Sequence, residues 1–206
     1  MKNKWELLYN PFTKIAGWKA FAIGTVIVCA TVLAGYYNHA CFTGLQMKMV
    51  SYHLSLNMCF LIQATGLLSM IILMYLVSLC FVKRVRLLDI AGTVLLSRAP
   101  YLFIALLVFC FNPMLQSIMD NLQENKFSVE ALTGMLTPFV YFILLLFAVL
   151  VVLLLVWYIA LLYHAFKVST GIKGRKTGVL LTGIIILSET ITFVLLIPCF
   201  KVINNI

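Results

Sequence analysis

Long uncharged apolar stretches, broken by short basic or polar segments, set the rhythm of this chain. The plainest runs from Phe139 to Leu162 without a charge, opens after Pro138, and carries near its end a Trp157-Tyr158 pair read here as interfacial before Lys167. Leu54 to Val82 is equally free of charge and stops at Lys83-Arg84-Val85-Arg86. Trp18 to Tyr37 has Lys19 at its entry, and Gly178 to Phe200 has one charge inside it, Glu189. A helix needs about 20 apolar residues to cross a bilayer, and each stretch meets that length. None shows the two-residue alternation of a half-buried strand.

A fifth crossing is less direct. Pro100 to Phe111 is too short to span at about 1.5 Å per residue, but Leu87, Leu88, Ala91, Val94 and Leu95 form a helical apolar face just upstream, with Asp89, Thr93 and Ser97 opposite. Either the segment 86–97 is an interfacial helix with a short span after it, or one helix kinked at Pro100 runs over 87–111. The length a crossing needs favours the kinked helix. The chain therefore predicts spans over 18–37, 55–82, 87–111, 138–163 and 178–200, in a single membrane domain covering 1–206.

The remaining segments are shorter. Trp5, Leu8, Tyr9, Phe12, Ile15 and Ala16 recur at helical spacing among polar residues, which predicts an interfacial amphipathic segment over 4–17, bent at Pro11. Ala16, Ala20 and Gly24 step by four into the first span, a small-residue stripe that admits a close neighbour. A polar loop through Asn38, His39, Gln46 and Lys48 follows that span. Beyond Asn112 a connecting loop is expected to reach Thr137, with Leu115, Ile118, Met119 and Leu122 on one face of a surface helix and a second short helix capped by Ser128 and carrying Glu130 and Ala131. The text Gly92-Thr93-Val94-Leu95-Leu96-Ser97 is echoed by Thr177-Gly178-Val179-Leu180-Leu181-Thr182, a candidate internal repeat.

Composition agrees with this pattern. Of 206 residues 64% are hydrophobic and 10% charged, more apolar surface than a water-soluble domain can hide. The fold class is therefore an all-α polytopic membrane bundle of about five spans, with no room for a separate catalytic domain. The net charge of +9 sits at the ends of the apolar runs. It is read as contact with the lipid bilayer and anionic cytoplasmic headgroups, and not as a nucleic-acid surface. Five spans put twelve basic residues on one side, four in each of the segments 2–19, 83–98 and 167–176, against Lys48, Lys126 and Lys201 on the other. That asymmetry predicts an N-terminus in the cytoplasm and a C-terminus outside. Four or six spans would break it. The first apolar run starts too late for a cleavable signal, so the N-terminus is expected to be retained.

Chemistry is sparse. Of the six cysteines, Cys29, Cys59, Cys80, Cys110 and Cys199 lie in or at the ends of apolar runs, where a cysteine is a small hydrophobe. Cys41 alone lies in a clear loop, and there is no CxxC. His39, His53 and His164 are too far apart along the topology to share a metal, and no zinc-protease, nucleophile-elbow or phosphate-loop signature occurs. No catalytic residue, metal or cofactor is expected. The informative position is Glu189, since an ionisable group inside a span is costly unless paired, hydrated or protonated. It lies about 20 Å by helical rise beyond Lys176, and Arg98 about 18 Å beyond Arg86. Arg98 and Glu189 are therefore expected to meet at one depth as a buried ion pair, joined by Thr93, Ser97 or Thr190. Such a pair can pin two helices or line a proton or ion path.

Several features together resemble the Yip-domain family, five-span proteins named for interaction with Ypt/Rab GTPases. They are Asn10-Pro11-Phe12 before a basic, Trp-bearing entry to the first span, and the Gly92–Pro100 segment at the third. Trp157 then ends the fourth, followed by His164-Ala165-Phe166-Lys167 and Thr170-Gly171, and a basic turn leads into the fifth. The resemblance covers nearly the whole chain. It implies a non-enzymatic membrane protein associated with trafficking and membrane shape in eukaryotes, and in bacteria a member without an assigned activity. The short segment before the first span does not carry Rab binding over and implies a bacterial-type member in the plasma membrane. Two function classes remain: a scaffold or adaptor with a membrane-protein partner or a second copy of itself, and a small transporter or channel in which Arg98, Glu189 and Gln63 line a polar path. A transporter requires a hydrated cavity beside Glu189. A scaffold buries the same residues in tight packing.

Overall fold

The computed structural model describes residues 10–49, 54–81, 85–124, 137–172 and 174–204. Helix α1 spans Trp18–Tyr37, and a β-hairpin follows, β1 Ala40–Thr43 and β2 Gln46–Met49. Then come α2 Leu56–Phe81, α3 Leu87–Ser97, α4 Ala99–Glu124, α5 Pro138–Thr170 and α6 Arg175–Asn204. Among the described residues five helical stretches are long and apolar enough to cross a membrane, with α3 and the first part of α4 counting as one over Leu87–Ile118. The chain is a multi-pass membrane protein with an all-α bundle. Lipid-facing apolar side chains such as Phe139, Leu145 and Val152 on α5 need no further cover in that setting.

Helix α3 does not lie flat at an interface. It runs parallel to α1 in close contact, with Gly24 of α1 against Leu95 and Leu96, and Gly92 of α3 against Gly17, Ala20 and Phe21. A Cβ on Gly24 would sit 2.6 Å from the backbone nitrogen of Leu96. The small-residue stripe thus serves as the seat of another helix, and all residues from Ile90 to Ser97 are buried. The helical path breaks at Arg98, whose N–H reverts to Leu95 in a tightened turn. Pro100 falls in the first turn of α4, where its missing N–H leaves no bond unmade.

Three expectations need correction. The loop expected from Asn112 is helix as far as Glu124, through Pro113, because Leu115 continues the apolar face of α4 onto the main core. Tyr158 is not interfacial: it lies at mid-helix in α5 and is wholly buried. The echoed text has no matching role in packing, since Gly92 is pressed against α1 whereas nothing stands within 4 Å of a Cβ on Gly178. Of the amphipathic segment 4–17, the described part starts with a single 3-10 turn at Pro11–Thr13, with Phe12 buried beside Ala20, Leu96, Leu161 and Ala165. The rest of it, and the short helix expected at Ser128, Glu130 and Ala131, lie outside the described residues.

The largest departure is the segment after α1, expected as a polar loop. It folds into a two-stranded antiparallel hairpin in which Cys41 faces Lys48 and Thr43 faces Gln46 across a two-residue turn, Gly44-Leu45. Every residue of β1 is buried. The hairpin is not a surface loop but is inserted among α1, α2, α4 and α6. Non-helical backbone in a membrane bundle requires that its polar groups be satisfied by protein or water, and the tip of this hairpin is where those partners are found.

Candidate functional site

Gly44 leads the turn with a positive φ of 37°, which suits glycine at the first position of a two-residue hairpin. Its lack of a Cβ also admits the tip to the bundle. A Cβ there would fall 1.8 Å from Glu189 Oε1. On the other side, Gly66 of α2 lets the Gly44 nitrogen approach to 2.9 Å from where its own Cβ would stand.

Two polar side chains and one cation hold the turn. Arg98 Nη1 donates to the carbonyl oxygen of Gly44, and the Tyr101 hydroxyl donates to the same oxygen at 2.8 Å. The N–H of Leu45 donates to Glu189 Oε1 at 2.6 Å. Gly44 C=O and Leu45 N–H belong to one peptide group. Its oxygen, the negative end of its dipole, therefore faces the guanidinium, and its N–H, the positive end, faces the carboxylate. Charge-assisted hydrogen bonds of this kind are the strong ones. Arg98 is 1% exposed, and a cation so placed needs compensation.

The rest of that compensation comes from aromatic faces. The guanidinium lies 4.9 Å from the centre of the Tyr101 ring and 5.0 Å from that of Tyr158. The two rings meet edge-on at 4.9 Å, and Phe42 of β1 packs edge-on against Tyr101. Among the described residues Arg98 Nε and Nη2, and the Tyr158 hydroxyl, have no hydrogen-bond partner, so the cation is stabilised by π-faces where it is not stabilised by oxygen. The neighbouring layer of α2 and α6 is also polar: Ser69 Oγ lies 2.8 Å from both Ser188 Oγ and Thr192 Oγ1.

The expected site is thus assembled differently from its anticipated form. Arg98 and Glu189 do meet at one level, but among the described residues no direct ion pair joins them; the Gly44–Leu45 peptide stands between. Nor do the anticipated go-betweens link them. Thr93 bonds its own helix and Ser169 of α5, Ser97 bonds Val94, and Thr190 bonds Ile186. Gln63 is buried in α2, its Nε2 without a hydrogen-bond partner among the described residues, and is not part of the clamp. Tyr101, Tyr158, Gly44 and Leu45 were not anticipated. The available signal was a glycine flanked by β-formers, Phe42-Thr43-Gly44, between two spans.

The space beside Glu189 is small. A cleft lined by Thr43, Gln46, Lys48, Glu189, Thr192 and Phe193 has a volume of about 10 Å³, room for a single water. Lys48 Nζ lies over the Phe193 ring at 5.9 Å. Among the described residues no group of three His, Cys, Asp or Glu side chains could hold a metal ion. Comparison of the chain with protein-family models, with curated proteins and with solved structures finds no match.

Proposed function

We propose that this chain is a non-enzymatic membrane scaffold or adaptor of Yip-like type. It would sit in a bacterial plasma membrane with its N-terminus in the cytoplasm and bind a membrane-protein partner or a second copy of itself. The observation that carries the scaffold reading is the use made of Arg98 and Glu189. Both are committed to one peptide group of a packed hairpin, and the cleft beside Glu189 has room for about one water. A transport path through them would require a continuous hydrated opening. The orientation rests on the basic residues gathered in segments 2–19, 83–98 and 167–176.

Reconstitution into sealed vesicles carrying an internal pH dye tests this reading. Under an imposed pH gradient, with and without a membrane potential, the protein should add no proton flux to that of empty vesicles. A flux that disappears in Glu189→Gln overturns the scaffold in favour of a transporter. Protease treatment of inside-out membrane vesicles should remove an N-terminal tag; a protected tag overturns the orientation.

A further inference from the structure

We propose that Cys41 and Cys59 are a disulfide site, and that the oxidised bond ties the inserted hairpin to the start of α2. The two sulfurs lie 3.8 Å apart. Closing them to a bond of about 2.0 Å asks each to move about 0.9 Å, a small side-chain adjustment. Cys41 is in β1, next to the hairpin's root, and Cys59 is in the first turn of α2. Both are buried in an apolar cluster with Val32, Ile62 and Leu196, in the thiol form. No third metal-ligating side chain joins them among the described residues, so the chemistry open to the pair is oxidation.

The bond also fits what else holds the hairpin. Its tip is fixed by Arg98, Tyr101 and Glu189. Just ahead of its root, Asn38 is fixed by donation to the carbonyls of Ala34 and Ala105. A covalent tie at Cys41 would fasten β1 to α2 between these two points.

The reaction is thiol–disulfide exchange with a small or protein disulfide as oxidant. A thiolate attacks the donor disulfide and expels one donor thiolate, leaving a mixed disulfide on the chain. The second cysteine, giving up its proton, attacks the chain's own sulfur and expels the other donor thiolate, which takes up a proton. Two protein thiols are oxidised and one donor disulfide is reduced to two thiols. Burial pushes the Cys41 thiol up to about 12, so the docked thiol does not ionise near neutral pH and exchange belongs to the stage before the hairpin seats. The supply of oxidant rests on the orientation proposed above, which puts this end of the bundle on the oxidising side of the membrane.

The test is cysteine mapping on the full chain, with free thiols alkylated at the moment of cell disruption. Two of the six cysteines should resist alkylation after denaturation until a reductant is added. Cleavage after Lys48 should leave the Cys41 and Cys59 peptides joined until reduction. Cys41→Ser and Cys59→Ser should each free every remaining thiol, and reductant should lower the Tm of the unmodified protein but not of either variant. Full alkylation of Cys41 and Cys59 without reductant overturns the proposal. The N-terminal tag then separates the causes: a cytoplasmic N-terminus puts the failure in the pairing itself, and an external one puts it in the orientation.

Discussion

Arg98 and Glu189 grip opposite ends of the same peptide group, the cation at the Gly44 carbonyl and the carboxylate at the Leu45 N–H. A direct pair between α3–α4 and α6 would have joined two helices. With a peptide in the middle, three parts of the chain are fixed at once, and the dipole of the clamped peptide is aligned with the field between the charges. The non-helical turn gains partners for both its polar groups, which a membrane bundle would otherwise leave costly.

This arrangement predicts energetic coupling without direct contact. Arg98→Ala should cost about 3 kcal/mol, since it leaves Glu189 without its countercharge and the Gly44 carbonyl with one donor. Glu189→Gln should cost about 3 kcal/mol: an amide oxygen still accepts from Leu45, but the buried Arg98 guanidinium loses its countercharge. A double-mutant cycle on unfolding in detergent should give a coupling of about 1 kcal/mol. Strict additivity would mean that the peptide does not transmit the interaction.

Gly44→Ala should destabilise the protein by more than about 1 kcal/mol, through its positive φ and the overlap with Glu189. Part of that cost is steric and specific to one partner. In a Glu189→Ala background the same change should therefore cost less. Equal penalties in both backgrounds would place the whole effect in the backbone of the turn.

The two tyrosines beside Arg98 should differ. Both present a ring face to the cation, and phenylalanine keeps that face. Tyr101→Phe removes the bond to Gly44 and should cost about 1 kcal/mol. Tyr158→Phe removes a buried hydroxyl that has no partner among the described residues and should be neutral or stabilising. Thermal melting of the two variants side by side decides it, and a larger loss from Tyr158→Phe would contradict the geometry.

Glycines in the bundle should respond with opposite signs. Gly24→Ala forces a methyl against the backbone of α3 and should cost about 1 to 3 kcal/mol. Gly178→Ala and Gly183→Ala meet nothing within 4 Å. Their gain in helix propensity should stabilise by up to about 1 kcal/mol. Shifts in Tm measured for the three variants in one detergent would expose any error in the α1–α3 contact.

Much of the architecture was legible because lipid reduces it to length and charge. Leu54 to Val82 and Phe139 to Leu162 can be read as spans from the absence of charge alone, and the bounds of α1 coincide with the apolar run 18–37. The common level of Arg98 and Glu189 followed from helical rise, which is a local property. The hairpin was not legible, because its polar tip matches that of an exposed loop until its partners are known. Asn38, Gln46 and Lys48 read as solvent-facing, yet Asn38 is buried and bonded to Ala105. Tyr158 was misread for the same reason: beside Trp157 it looks like an interfacial belt, and only the position of Arg98 explains a tyrosine at mid-helix. Cys59 read as one more hydrophobe because its partner, Cys41, lies on an element that periodicity did not reveal.

The clamp also has a consequence for biogenesis. Arg98 is synthesised and delivered to the bilayer well before Glu189, which resides on α6. Until that helix arrives, the Leu45 N–H lacks its acceptor and the guanidinium lacks its countercharge. A chain truncated before α6 thus keeps a buried cation without its countercharge. The arrival of α6 therefore closes the clamp, completing in one step the partners of the hairpin turn and the charge balance of Arg98.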